Sequence, residues 1–330
     1  MRRLGVLVSL LLIVSSAVLA QKHYDFTVAQ DGTGNFTSVQ AAIDACKAFP
    51  DQPMVIFVKN GVYKEKVRVP ACNNHLTIVG ESAAKTIITY DDYFNKINRG
   101  RNSTFYTYTL IVEANDFCAE NITIENAAGP VGQAVALHVE GDRCVFRNCR
   151  FLGNQDTLYL AGETSRDYFV NCYVEGTTDF IFGAATALFD NCTLYNKSNS
   201  YITAASTSQG KPFGFVFKNC KLTAAEGVTK VFLGRPWRDY AKVVYINCEM
   251  GKHIAPAGWV NWDKTSRDKT AYYAEYGNTG AGSSVFQRVA WSHQLTADEA
   301  ASYSIERILA PILPSESPVR IWTRSVMAKE

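Results

Sequence analysis

Asp156 and Asp179 stand in the same phase of two neighbouring segments. Asp156 follows Cys149 by seven residues, and Asp179 follows Cys172 by seven. Phe151-Leu-Gly-Asn-Gln-Asp-Thr-Leu-Tyr159 and Val174-Glu-Gly-Thr-Thr-Asp-Phe-Ile-Phe182 align without gaps, with Gly153 and Gly176 at matching places. Equal phase on adjacent parallel strands puts the two carboxylates ~4.8 Å apart. Two ionised carboxylates that close repel, so one keeps its proton to higher pH unless a cation intervenes. That division suits one Asp as a proton donor and the other as a charged base or nucleophile. The same spacing fits a retaining glycosidase, whose carboxyl groups lie ~5 Å apart. It also fits a surface pair neutralised by Lys or Arg. At the same offset from Cys192 and Cys220 stand Asn199 and Gly227, so no general Asp ladder runs through the chain.

The elements that position this pair follow from a repeat. Cys149, Cys172, Cys192, Cys220 and Cys248 share one local frame. An aromatic stands three residues before each (Phe146, Phe169, Phe189, Phe217, Tyr245), Asn stands directly before, and an apolar residue two after (Phe151, Val174, Leu194, Leu222, Met250). The steps between them are 23, 20, 28 and 28 residues. The segment Ala119–Glu125 fits the frame, with Asn121 in the Asn slot. Period-2 alternation at this repeat length predicts a solenoid of short strands, each coil burying its apolar side only by stacking. An all-β, right-handed parallel β-helix fits, with short helices capping the ends. The Asn slot marks a bend, and the Cys and aromatic slots form interior columns. Stacked Cβ atoms ~4.8 Å apart are too distant for a disulfide without inward tilt, so free thiols are expected.

Helical spacing at Val39–Lys47, with Thr37 or Ser38 as N-cap, predicts the first cap. Trp291–Leu309 reads as helical, and Pro311–Pro318 as a surface tail. At the start, basic Met1–Arg3, apolar Leu4–Val14 and small residues to Ala20 read as a secretory signal over 1–20. Residues 21–330 then form one domain.

Lys and Arg number 33 against 31 Asp and Glu; residues 1–20 hold Arg2 and Arg3 and no acid, leaving 31 against 31. That balance excludes nucleic-acid binding by bulk charge. No Gly-x-Ser-x-Gly, His-Glu-x-x-His, P-loop or Cys-x-x-Cys occurs, so no metal site is expected.

Five blocks carry a family resemblance: Gly61-Val-Tyr-Lys-Glu65, Gln133-Ala-Val-Ala-Leu137, Gly153-Asn-Gln-Asp-Thr-Leu-Tyr159, Gly176-Thr-Thr-Asp-Phe-Ile-Phe-Gly183 and Leu233-Gly-Arg-Pro-Trp237. Together and in this order they resemble the signature blocks of pectin methylesterases. The resemblance runs from about residue 26 to about residue 290. It implies cofactor-free hydrolysis of the C6 methyl esters of homogalacturonan, giving methanol and pectate. It further implies Asp179 as nucleophile, Asp156 as acid and base, Gln133 and Gln155 as oxyanion donors, and Arg235 as the partner of Asp179. Tyr159, Phe180 and Trp237 would offer flat faces to sugar rings, and Thr104 would bind substrate. The expected partner is methyl-esterified pectin, met by a secreted monomer (extracellular or periplasmic) with no nucleic acid and, after signal cleavage, no membrane contact. A glycoside hydrolase on a similar β-helix, or a non-catalytic polysaccharide binder, are the alternatives. The sequence departs from the family pattern at His138, at Thr178 and over Phe94–Tyr106.

Overall fold

The computed structural model describes residues 24–324. The expected signal segment lies outside the described residues. Short strands coil into three parallel sheets of eleven, seven and eight strands, and sequential coils supply neighbouring strands. This is the parallel β-helix that the repeat predicts.

The Asn slot explains how each coil turns. Asn121, Asn148, Asn171, Asn191, Asn219 and Asn247 all have φ between 52° and 56°. Asn tolerates this left-handed conformation better than other non-glycine residues, so the chain turns there from the eleven-stranded sheet to the eight-stranded one. The side-chain ladder is partial. Asn148 donates to Asn121 at 3.3 Å and Asn191 to Asn171 at 2.7 Å, whereas Asn219 donates to Asp190 at 3.1 Å.

Inside, Phe146, Phe169, Phe189, Phe217 and Tyr245 stack face to face, with centroids 4.7, 4.5, 4.7 and 4.4 Å apart. The five repeat cysteines are buried beside them as free thiols. Each Sγ meets a carbonyl of the preceding coil, such as Cys172 on Phe146 at 3.3 Å. Small buried hydrophobes in a column therefore need no metal or disulfide to be satisfied.

The first cap forms as Val39–Asp44, with Ser38 Oγ accepting from the Ala41 N–H at 3.2 Å. The second differs from the expected single helix. His293–Gln294 adds a strand at the sheet edge, and two short helices follow, Ala297–Ala301 and Ile305–Ile308. Thr296 and Ser304 each cap a new helix, which is why the run breaks. The Pro-rich tail is pinned: Glu316 meets Arg166 at 2.6 Å.

Candidate active site

The seven-stranded sheet positions the site. Leu158–Leu160 and Ile181–Gly183 are adjacent in it, with Leu158 opposite Ile181 and Tyr159 opposite Phe182. Asp156 and Asp179 therefore stand at the same height, two residues before their strands. Both take left-handed backbone, φ 67° and 48°. Their amides bond up the stack, Asp156 N–H to Thr178 O at 3.1 Å and Asp179 N–H to Tyr201 O at 2.8 Å.

This left-handed turn sends the next residue inward. Thr157 and Phe180 are both fully buried. Gly153 and Gly176 make the room: a Cβ on Gly176 would lie 2.2 Å from that of Phe180, and one on Gly153 would lie 2.6 Å from Thr157 Oγ1. Phe180 is thus a core residue and not a sugar platform, contrary to the expectation from resemblance. Phe182, two residues on, lines the cleft instead.

Asp156, Asp179, Gln133, Gln155, Thr104, Arg235 and Trp237 line one cleft. Gln133 and Gln155 bridge neighbouring coils, and neither side-chain amide bonds another described residue. Tyr159 lies beside the cleft, stacked on Phe182 at 4.6 Å and tilted against Phe105 at 4.9 Å. Trp237 meets Phe182 edge-on at 5.7 Å.

Arg235 separates the two carboxylates electrostatically. Its Nε and Nη2 bond Asp179 Oδ1 and Oδ2 at 3.0 and 2.6 Å. No hydrogen bond from a described residue reaches the Asp156 carboxylate. Burial, then the Asp179 charge, push Asp156 well above the ordinary carboxylate range, and Arg235 pulls back only weakly. Burial also raises Asp179, and the Arg235 contacts oppose the rise without cancelling it. Arg235, the expected partner of Asp179, does not lower it outright, because burial of nearly the whole side chain outweighs its contacts. The order of the pair survives: a shared proton sits on Asp156, because only Asp179 has a cation bonded to it.

Sequence reasoning missed what holds Arg235. Its guanidinium lies between the rings of Tyr201 at 4.1 Å and Trp262 at 4.0 Å. Phe94, Arg101 and Phe105 from the 94–106 segment also line the cleft. They carry no motif of their own, and only that segment's departure from the family pattern marked it.

Comparisons with known proteins agree with this geometry. A family model described as Pectinesterase matches residues 25–311. Pectinesterase 31 of Arabidopsis thaliana is 41% identical over 284 residues, covering 84% of this chain and 89% of that protein. The Probable pectinesterase/pectinesterase inhibitor 23 of the same plant is 40% identical over 86% of this chain, which spans only 51% of that longer relative. Among solved structures, pectin methylesterase from carrot superposes with a TM-score of 0.83 at 32% identity, covering 88% of this chain and 94% of that one. Pectin methylesterase PemA from Erwinia chrysanthemi gives 0.77 at 29% identity, covering 90% and 99%. The coil is the right-handed parallel β-helix of these neighbours. This chain belongs to the pectinesterase family of carboxylic ester hydrolases.

Proposed function

We propose that this chain removes the C6 methyl esters of homogalacturonan through a covalent intermediate on Asp179. The observation that carries the reading is the unequal carboxylate pair, one Asp bonded twice by Arg235 and its neighbour's carboxylate bonded by no described residue. Charged Asp179 attacks the ester carbonyl carbon, and the carbonyl electrons move onto oxygen. Gln133 and Gln155, adjacent and unengaged at the cleft wall, donate amide hydrogens to that oxyanion. As the tetrahedral species collapses, Asp156 gives its proton to the departing methoxide and methanol leaves. Asp156, now charged, takes a proton from water, and the hydroxide attacks the anhydride joining substrate to Asp179. Collapse frees the product as galacturonic acid, which gives its proton to solvent and leaves as the carboxylate, and restores charged Asp179, while Asp156 again holds a proton. Water is consumed and no redox cofactor is needed.

Trp237, Tyr159 and Phe182 line or flank the cleft with aromatic surface suited to sugar rings, and Thr104 adds a polar contact. The N-terminal targeting pattern supports action outside the cytoplasm on a pectin polymer. Among the described residues no helix is long and apolar enough to cross a membrane.

The test incubates the protein with highly methylated pectin and measures methanol and new reducing ends together. Methanol without reducing ends is the expected result. Reducing ends without methanol would replace esterase by glycosidase chemistry, and neither product would leave a polysaccharide binder.

A further inference from the structure

Gln133 enters the cleft from a loop, and a buried amide outside the cleft closes that loop. Asn126 ends the strand Thr123–Asn126 of the eight-stranded sheet and is only 3% exposed. It does not line the cleft. Its Nδ2 donates to three backbone carbonyls, Asp92 O at 2.8 Å, Val135 O at 3.0 Å and Thr107 O at 3.1 Å. Its Oδ1 accepts from Ala128 N–H at 3.0 Å. Two amide hydrogens shared among three acceptors, with the oxygen turned to a donor, leave the side chain one orientation.

The three carbonyls belong to segments that meet at Gln133. Val135 stands two residues beyond Gln133 on the loop that Asn126 closes. Asp92 stands two residues before Phe94, whose N–H bonds Gln133 O at 2.9 Å. Thr107 follows the Gly100–Tyr106 turn and ties it to the same loop. Its Oγ1 accepts from Val135 N–H at 2.9 Å and donates to Thr104 O at 2.7 Å. Ala134 N–H bonds Gln155 O at 3.1 Å, so the loop is also fixed against the neighbouring coil. An oxyanion donor works only if it waits where the charge develops, and a displacement of about 1 Å lowers the rate about 10²-fold.

We infer that Asn126 is a positioning residue of the esterase, holding Gln133 at the place where the oxyanion forms. This role rests on the esterase reading above. Asn126 acts through Gln133: without its amide three carbonyls lose a donor, and the loop carrying Gln133 relaxes.

The experiment measures kcat and KM for methanol release from highly methylated pectin, beside thermal melts, for wild type, Asn126→Ala, Gln133→Ala and the double variant. Gln133→Ala should lower kcat about 10²–10³-fold. Asn126→Ala should lower it about 10–10²-fold with KM unchanged. In the Gln133→Ala background the same change should lower kcat by no more than about twofold, because the group that Asn126 places is gone. A structural role alone would give one factor in both backgrounds. Thr107→Val removes the hydroxyl tie with little change of shape, and it takes the place of Asn126→Ala in the cycle if that variant does not fold. Thr107→Ser keeps the hydroxyl and should keep most of the wild-type kcat. Equal losses in both backgrounds, or a wild-type kcat in Asn126→Ala or Gln133→Ala, overturn the positioning role and leave the esterase reading intact. No methanol from wild type overturns both.

Discussion

Arg235 donates two hydrogen bonds to Asp179 and none to Asp156, although the two aspartates occupy equivalent positions in adjacent coils. A repeat supplies near-identical backbone, and one arginine from a later coil makes the pair unequal. Repetition puts the carboxylates together and its breakage divides their labour.

That division has a pH signature. The proposed mechanism requires charged Asp179 and protonated Asp156. Burial raises Asp179, so the acid limb of kcat/KM should lie above the ordinary carboxylate range, with activity falling as pH drops through it. Asp156 is raised further, and its deprotonation should set an alkaline limb. Asp156→Asn should lower methanol release by about 10²–10⁴-fold and abolish that alkaline limb. A residual profile that keeps it would assign the limb to another group.

Trp262 lines the cleft and lies against the Arg235 guanidinium at 4.0 Å, so its truncation should act on the reaction through Arg235. Trp262→Ala removes one face of the sandwich and frees the guanidinium to leave Asp179. A partly desolvated cation–π contact of about 1–2 kcal/mol predicts a kcat lower by roughly tenfold. Trp262→Phe should recover most of the loss. Steady-state kinetics that show only a raised KM would make Trp262 a substrate platform instead.

Trp237 is half-buried at the cleft wall, touching Phe182 by its edge. Truncating a core Trp costs about 3–5 kcal/mol, whereas a groove residue carries binding energy instead. Trp237→Ala should therefore raise KM for pectin while the melting temperature moves little. A collapse of the melting temperature with unchanged kinetics in the folded fraction would place it in the core.

Asp167 lies inside the coil, opposite Cys144 and Ala187, and neither of its carboxylate oxygens has a hydrogen-bond partner among the described residues. Burial and the nearby Asp142 charge raise it well above the ordinary range. The native state then keeps a proton that the unfolded chain has lost. Stability therefore falls as pH rises from the ordinary Asp range toward the buried value. Asp167→Asn cannot ionise, so its melting temperature should fall less steeply between about pH 4 and pH 8. Parallel curves for variant and wild type would show that Asp167 does not titrate in this window.

The coil and the aspartate pair were legible because they repeat. The Asn–Cys frame exposes one phase, and counting from it reaches Asp156 and Asp179 with no further information. Phe180 was misplaced because the resemblance carries no side-chain direction, and the left-handed turn at Asp179 points the next residue inward. Gly176, four residues before Phe180, carried the signal: a glycine opposite an aromatic marks where that ring is packed. Trp262 and Arg101 lie outside the repeat frame, so their position depends on how the segments cross the sheet. The second cap is helical as expected but broken into two short helices, because Thr296 and Ser304 each start one.

Methanol release from highly methylated pectin by Asp179→Asn, measured beside a thermal melt, tests the covalent mechanism most directly. Asn is nearly isosteric and removes a buried charge, so the variant should stay folded. Its amide cannot attack the ester, so turnover should vanish more completely than in Asp156→Asn, which keeps its nucleophile. Folded Asp179→Asn that releases methanol at a near-wild-type rate would contradict the account.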